Sequence, residues 1–566
     1  MAAALTLAAC AAAPMTMNVS AAATENTVSF TGEVKAGVTH NYSAYKIFSG
    51  KVEVEEGKKG KLTNISFAKT DGFDAFLAAL KADTTIGSKF ASAGTVAEVA
   101  NVLSGFSDKS DDAKAFADFV ATHATLLAAP VTGVKDSSTG KETIPLDSDG
   151  YYVIIETTNI LDNTRDFAKT SYILTQYDAS EGAEIAVKSA APTVDKQVHD
   201  EIDDAEAGAV DGWGETADHA INETFQMKLI ATIPADEDFA AYKAYKVAFH
   251  DTYNKGITFE KIASVTVAGE TTVNKGEAKT DYQLASNTTN RTLDITINDI
   301  VPAITAANKK LGTDEITVEV IYNVHLNENA ATVNASEKNL STSYDNVNGV
   351  YLEYSNNPNW NGSGTAAPGE DTPGGDESTG KTPNDYVWVF TYESNNKKVD
   401  DANKPLTGAK FQIKNGDTII KLIDKGNGEY VVADQNSASE GASLKIVDTM
   451  VSTGTDAKFN IKGLDAGTYT LVETEAPQGY KVAADTVFHI SATHAEGKKG
   501  ENVDAEVASV NLDNSTPLNY TIVDSSSSKL PSTGGVGTTL FVLGGGCMAG
   551  LAGIYLISKK RAKDAE

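Results

Sequence analysis

Cysteine is nearly absent: Cys10 and Cys547 are the only two in 566 residues. A disulfide framework is therefore excluded as the source of stability. Basic excess is missing too, with 47 Lys and Arg against 77 Asp and Glu and a formal net charge of -30. That excludes a nucleic-acid partner, because phosphates are bound by Lys and Arg that displace counterions. The eight histidines show no paired spacing of a metal centre. No Ser/His/Asp arrangement or cofactor motif can be argued, so the sequence points away from an enzyme and predicts neither cofactor nor metal.

Hydrophobic residues at 41% and aromatics at 8% are ordinary for folded domains, so the acidity belongs to a globular protein and not to a disordered tail. The length predicts about three or four domains. Both ends are unusual. The opening "MAAALTLAACAAAPMTMNVSAAA" is apolar and ends in small residues, which predicts a signal peptide over 1–23. Cys10 in "LAAC" is read as one residue of its apolar region. Near the other end, residues 536–558 are apolar, Gly-rich and about long enough to span a bilayer, and Lys559, Lys560, Arg561 and Lys563 follow. Both cysteines thus fall in terminal segments.

Between the ends most of the chain reads as strands. "SVTVAG", "RTLDITI", "EITVEVIYNVHL", "AKFQIK" and "GTYTLVET" alternate or are rich in β-branched residues, with Gly, Asn and Asp at their borders. Residues 71–127 differ, with apolar residues at helical spacing. "DGYYVIIET" (149–157) echoes "AGTYTLVET" (466–474), an internal repeat that relates the first and third domains. The Gly/Pro/acid-rich stretch 361–385 reads as a linker, and Pro192 punctuates a boundary near 188–198. These signals divide the chain into 24–190 (strands with a helical insertion), 191–357, a linker at 358–385, a third domain at 386–516 and a spacer with terminal segments at 517–566. The fold class is mainly β, with tandem immunoglobulin-like sandwiches.

Leu530, Pro531, Ser532, Thr533 and Gly534 stand directly before the apolar span and its basic tail. LPxTG, span and basic tail in that order resemble the cell-wall sorting signal of Gram-positive surface proteins. In the third domain "YTLVETEAPQGY" (469–480) resembles the E-box of sortase-assembled pilins on a Cna-type B domain, with "KKVDDANKPLTGAKFQI" as its first-strand motif and "VNLDNSTP" as its last strand. The middle domain resembles the Cna-type A domain of major pilins through "PTVDKQV", "VAFHDTYNKGITF" and "VYLEYSNNPN".

The resemblance implies a backbone pilin, secreted and joined covalently to wall or pilus. A sortase would cleave after Thr533 and transfer it to a lysine of the next subunit or to a peptidoglycan precursor. Its other partners would be sibling pilin subunits and a host surface ligand. It also implies two autocatalytic Lys–Asn isopeptide bonds: Lys398 to Asn514 promoted by Glu473, and Lys196 to Asn356 promoted by Asp251. Asn356 is preferred over Asn357 because it shares a face with Leu352 and Tyr354. The first domain holds Lys46 and Glu156, but its last strand, "GAEIAVK", offers no inward Asn or Asp, so no internal bond is expected there. Many major pilins carry the acceptor lysine in a "YPK" motif. Here "EIAVKSAAPTV" departs from it, and Lys188 takes that position. An ancillary pilin or a monomeric wall-anchored adhesin is the alternative. The "DSSSS" run at Asp524 is assigned to the spacer, and the acidic stretch 199–219 to a solvated loop.

Overall fold

The computed structural model describes residues 26–31, 40–53, 61–107, 110–135, 142–157, 172–186, 191–200, 211–278, 280–358, 379–436, 444–496, 507–513 and 518–526. The signal peptide, Lys188, Asn514, residues 530–534 and the apolar span 536–558 lie outside them. Among the described residues no helix is long and apolar enough to cross a membrane. The chain divides into two compact units, residues 1–391 with 492–512, and residues 392–491 with 513–566.

The first domain of unit 1 stacks two sheets and a helical layer. One sheet runs Lys61–Phe67, Tyr42–Glu53, Gly150–Glu156, Ile173–Tyr177. The other runs Val134–Lys135, Glu142–Pro145, Thr27–Thr31, Ala183–Ala186. Gly150–Glu156 is covered on both faces. Tyr152 and Ile154 pack with Val28, Phe30 and Ile144 of the second sheet, while Tyr151 and Val153 pack on the helices. Double burial explains why "YYVII" reads as an unbroken apolar run and not as an alternating one.

The expected helical insertion is Phe73–Ala82, Val96–Leu103 and Asp111–Thr122. Thr95 and Glu98 form a capping box on the second helix and Ser110 caps the third, satisfying orphan N–H groups. Phe76, Phe90, Phe116 and Phe119 interlock beneath them. Phe116 is fully buried, so Phe116→Ala is expected to cost about 3–5 kcal/mol in denaturant unfolding of this domain.

The middle domain is a sandwich. One sheet orders Trp213–Gly214, Thr193–His199, Thr224–Ile233, Ile316–Leu326, Ile257–Val267, Thr271–Thr272. The other orders Thr216–Asp218, Asp385–Phe390, Val347–Ser355, Val247–Tyr253, Thr292–Ile297, Tyr282–Asn287. Ile316–Leu326 alternates buried and half-buried without a break, as a strand with one face on the core must.

Two boundaries differ from expectation. Thr379–Lys381 and Asp385–Phe390 are strands on Val347–Ser355, so the linker ends before 379 and unit 2 starts at Tyr392, not at 386. "DYVWVF" is too apolar to stay outside a core, and four of its residues, Val387 to Phe390, are almost wholly buried. The hairpin Ala492–Glu496 with Val507–Leu512 pairs with Glu337–Ser341 and belongs to unit 1, not to the third domain expected over 386–516.

Unit 2 has a sheet ordered Tyr392–Ser394, Asn460–Leu464, Glu429–Val432, Leu422–Gly426, Ile446–Val447. A second sheet orders Thr418–Ile419, Lys410–Asn415, Gly467–Glu475, Thr486–Ile490. Phe411 and Phe459 stack at 4.0 Å in its core. Lys397–Asp400 pairs in parallel with Thr521–Asp524. Ser526 bridges to Tyr480, so residues 521–526 are part of the fold and not of the spacer expected from 517.

Candidate functional sites

Each of the two later domains encloses a lysine with zero exposure, Lys196 and Lys398. In the middle domain Thr193–His199 turns Lys196 and Val198 inward. Its neighbours are polar, Asp251 and Asn348 on the facing sheet and Tyr322 on its own. Lys196 Nζ pairs with Asp251 Oδ2 and donates to Tyr322 Oη at 2.7 Å. Tyr322 Oη donates to Asp251 Oδ2 at 2.9 Å and accepts from Asn348 Nδ2 at 2.9 Å. Asp251 and Asn348 are also buried. Among the described residues no donor reaches Asp251 Oδ1 or Asn348 Oδ1.

Burial dominates the protonation of this group. It pushes the Lys196 amine down, against the attraction of Asp251. It pushes the Asp251 carboxyl up, against Lys196, Tyr322 and Asn348. Both shifts favour moving one proton from lysine to aspartate, leaving a neutral amine, which is a nucleophile, beside a neutral acid, which is a donor.

The structure brings Lys196 and Asp251 together as expected, but not Asn356. Asp251 stands opposite Val350. Asn356 is six residues along from there, about 20 Å at the strand rise, whereas Asn348 is two residues away on the same face. Asn356 is fully buried too, so it shares the inward face with Asn348 but not the depth of Asp251. Alternation in "NGVYLEYS" already placed Asn348 with Val350, Leu352 and Tyr354. Tyr322 was missed as well, although it is the polar-tipped member of the inward series in "ITVEVIYNVHL".

In unit 2, Lys398 is buried while Lys397 is exposed. Lys398 Nζ donates to Glu473 Oε2 at 3.1 Å and pairs with Asp524 Oδ1. Glu473 sits on Gly467–Glu475 and also accepts from the Ala483 N–H at 2.6 Å. Burial pushes its carboxyl up, helped by Asp524 and opposed by Ala483 and Lys398. No donor among the described residues reaches Glu473 Oε1 or Asp524 Oδ2.

Among the described residues the lysine pairs with Asp524; Asn514, the partner implied by the resemblance, lies outside them. Asp524 is 1% exposed, not a spacer residue. The parallel register sets Lys398 against Ile522 and Asp400 against Asp524. Burial alternates along Thr521, Ile522, Val523, Asp524, against the polarity of the sequence, since apolar Val523 faces out and charged Asp524 faces in.

In the first domain the repeat strand ends in buried Glu156, which meets His40 Nδ1 at 2.8 Å. Lys46 Nζ reaches Ser148 Oγ and Tyr152's ring instead. The acidic stretch also differs from a solvated loop at its ends. Asp200 and Asp218 are buried, and Asp200 Oδ2 lies 3.6 Å from His494 Nε2.

A family model for the SpaA prealbumin-like fold domain matches residues 393–503, and one for the LPXTG cell wall anchor motif matches residues 522–565. The chain is a cell-wall-anchored surface protein with a SpaA domain, and its anchor motif is of the kind sortases process. No curated protein matches it.

Among solved structures, the T6 backbone pilin of serotype M6 Streptococcus pyogenes is similar at 15% identity and a TM-score of 0.44, covering 89% of this chain and 99% of that one. The full-length major pilin SpaD of Corynebacterium diphtheriae has 15% identity, a TM-score of 0.44 and coverage of 89% and 98%. BcpA, the major pilin subunit of Bacillus cereus, has 14% identity, a TM-score of 0.38 and coverage of 88% and 99%.

Proposed function

We propose that this chain is the backbone subunit of a covalently polymerised pilus, stiffened by two amide crosslinks that it forms unaided. One observation carries the reading: each later domain buries a lysine amine against a carboxyl whose protonated form burial favours and a second side chain able to be acylated. Burying such groups without further use would cost several kcal/mol.

In the middle domain neutral Lys196 Nζ adds to Asn348 Cγ while Asp251 protonates Oδ1. Collapse of the adduct releases ammonia and returns the proton to Asp251. In unit 2, Lys398 Nζ adds to Asp524 Cγ with Glu473 in the same role, and water leaves. Folding supplies the orientation, which replaces an activating group.

Between subunits, a sortase thiolate takes Thr533 as a thioester, with Gly534 leaving, and Lys188 of the next subunit accepts the acyl group. A proline at 531 disfavours helical backbone at the residue before it, which suits a substrate read in extended form. Surface extracts boiled in detergent should show a ladder of polymers, and Lys188→Ala should collapse it to single wall-linked chains. A persisting ladder moves the acceptor to another lysine. A wild-type surface without any ladder supports the monomeric adhesin instead.

A further inference from the structure

The crosslinking reading gives Asp251 the carbonyl oxygen but leaves a second proton unhandled: the attacking amine must lose one and the departing amide nitrogen must gain one. We propose that the Tyr322 hydroxyl carries this proton from Lys196 to the leaving nitrogen of Asn348. The proposal rests on the crosslink assigned above.

Among the described residues Tyr322 Oη touches all three groups. It lies 2.7 Å from Lys196 Nζ, 2.9 Å from Asn348 Nδ2 and 2.9 Å from Asp251 Oδ2. A hydroxyl accepts twice and donates once, and here each capacity is used. Before attack Asn348 Nδ2 is an amide nitrogen, able only to donate. After Lys196 adds to Cγ that nitrogen becomes a tetrahedral amine with a free lone pair, so its hydrogen bond to Tyr322 can reverse. The adduct's Lys196 N–H then passes its proton to Oη as the Oη proton passes to Nδ2. The C–Nδ2 bond breaks, ammonia leaves, and Asp251 recovers the proton it lent to Oδ1. Tyrosine ends unchanged and the atoms balance.

Burial pushes the Tyr322 phenol well above its ordinary range, which disfavours a free tyrosinate and favours concerted transfers. Met227 Sδ, a weak acceptor 3.2 Å from Asn348 Nδ2 and 3.5 Å from Oη, closes the site.

The test follows the branched Lys196–Asn348 tryptic peptide by mass spectrometry during cell-free synthesis of the full ectodomain. Tyr322→Phe should slow its appearance by about 10²–10⁴-fold, the usual worth of a positioned proton-transfer group. The Lys398–Asp524 peptide in the same molecules should keep its pace. Replacing Tyr322 by 4-aminophenylalanine, which fills the same space and can both accept and give a proton, should recover most of the rate. It also provides the reading if the Phe variant fails to fold. Bonding of Tyr322→Phe at the wild-type pace overturns the relay, as does a folded 4-aminophenylalanine variant that never bonds. A wild-type chain lacking the branched peptide is a different failure, that of the crosslink itself.

Discussion

Secreted ectodomain, denatured and weighed intact, will be lighter than its sequence by one ammonia and one water. The middle crosslink consumes an amide, Asn348, and so expels ammonia. The unit 2 crosslink consumes a carboxyl, Asp524, and so expels water. Two Lys–Asn bonds, as expected from the resemblance, would expel two ammonias, and intact mass separates the outcomes. Asp251→Asn removes the acid while keeping its shape, and should restore the ammonia alone. Glu473→Gln should restore the water alone. Either variant keeping the wild-type mass removes that carboxyl from its role.

The stability effect is large because the closed loops are long: Lys398 and Asp524 are 126 residues apart in sequence. By the chain-entropy argument used for disulfides, each closure is worth about 5 kcal/mol. At about 2–4 °C per kcal/mol for domains of this size, the melting temperature of each uncrosslinked domain should fall by roughly 10–20 °C. Melting of the other domain should stay put.

Most of this was legible in the sequence, for a physical reason. A strand with one face on a core writes its burial into period-two alternation, so Lys196, Asp251, Lys398 and Glu473 could be placed inward beside apolar neighbours. Alternation fixes the face but not the depth along the strand. Asn348 and Asn356 share a face and lie eight residues apart, a choice that only the register of Asp251 on Val350 decides. Asp524 was hidden differently. The serine run after it reads as a spacer, and its partner strand, Lys397–Asp400, lies far away in sequence. Only their parallel pairing shows the carboxyl turning inward. The unit boundary was obscured in the same way: a hairpin at 492–512, within the sequence of the third domain, adds to the strand Glu337–Ser341 of unit 1.

Stretched between Lys188 and Thr533, the crosslinked chain will show no long unfolding step. Tension entering at Thr533 reaches Asp524 and passes through its amide to Lys398, so residues 399–523 carry no load. It continues along the backbone from 398 back to Asn348, crosses to Lys196 and leaves at Lys188, so residues 197–347 carry none either. The sheets held in those two stretches are bypassed and cannot be unzipped by this pull. In single-molecule force spectroscopy Asn348→Ala should free residues 197–347, about 150 residues, and add a step of roughly 500 Å at 3.3–3.6 Å per extended residue. Asp524→Ala should add a separate step of roughly 400 Å by the same measure, and the double variant should show both. Steps of those lengths in the wild-type chain would mean that the amides do not carry the load. A protein with no cysteine between Cys10 and Cys547 would then have only noncovalent sheets to oppose tension. Noncovalent contacts let a folded domain reopen at a rate that force increases, whereas an amide bond must be broken chemically. A polymer joined end to end by amides is only as inextensible as the path between its joints, so polymerising through Lys188 and Thr533 gains tensile strength only if the interior path is covalent and short as well.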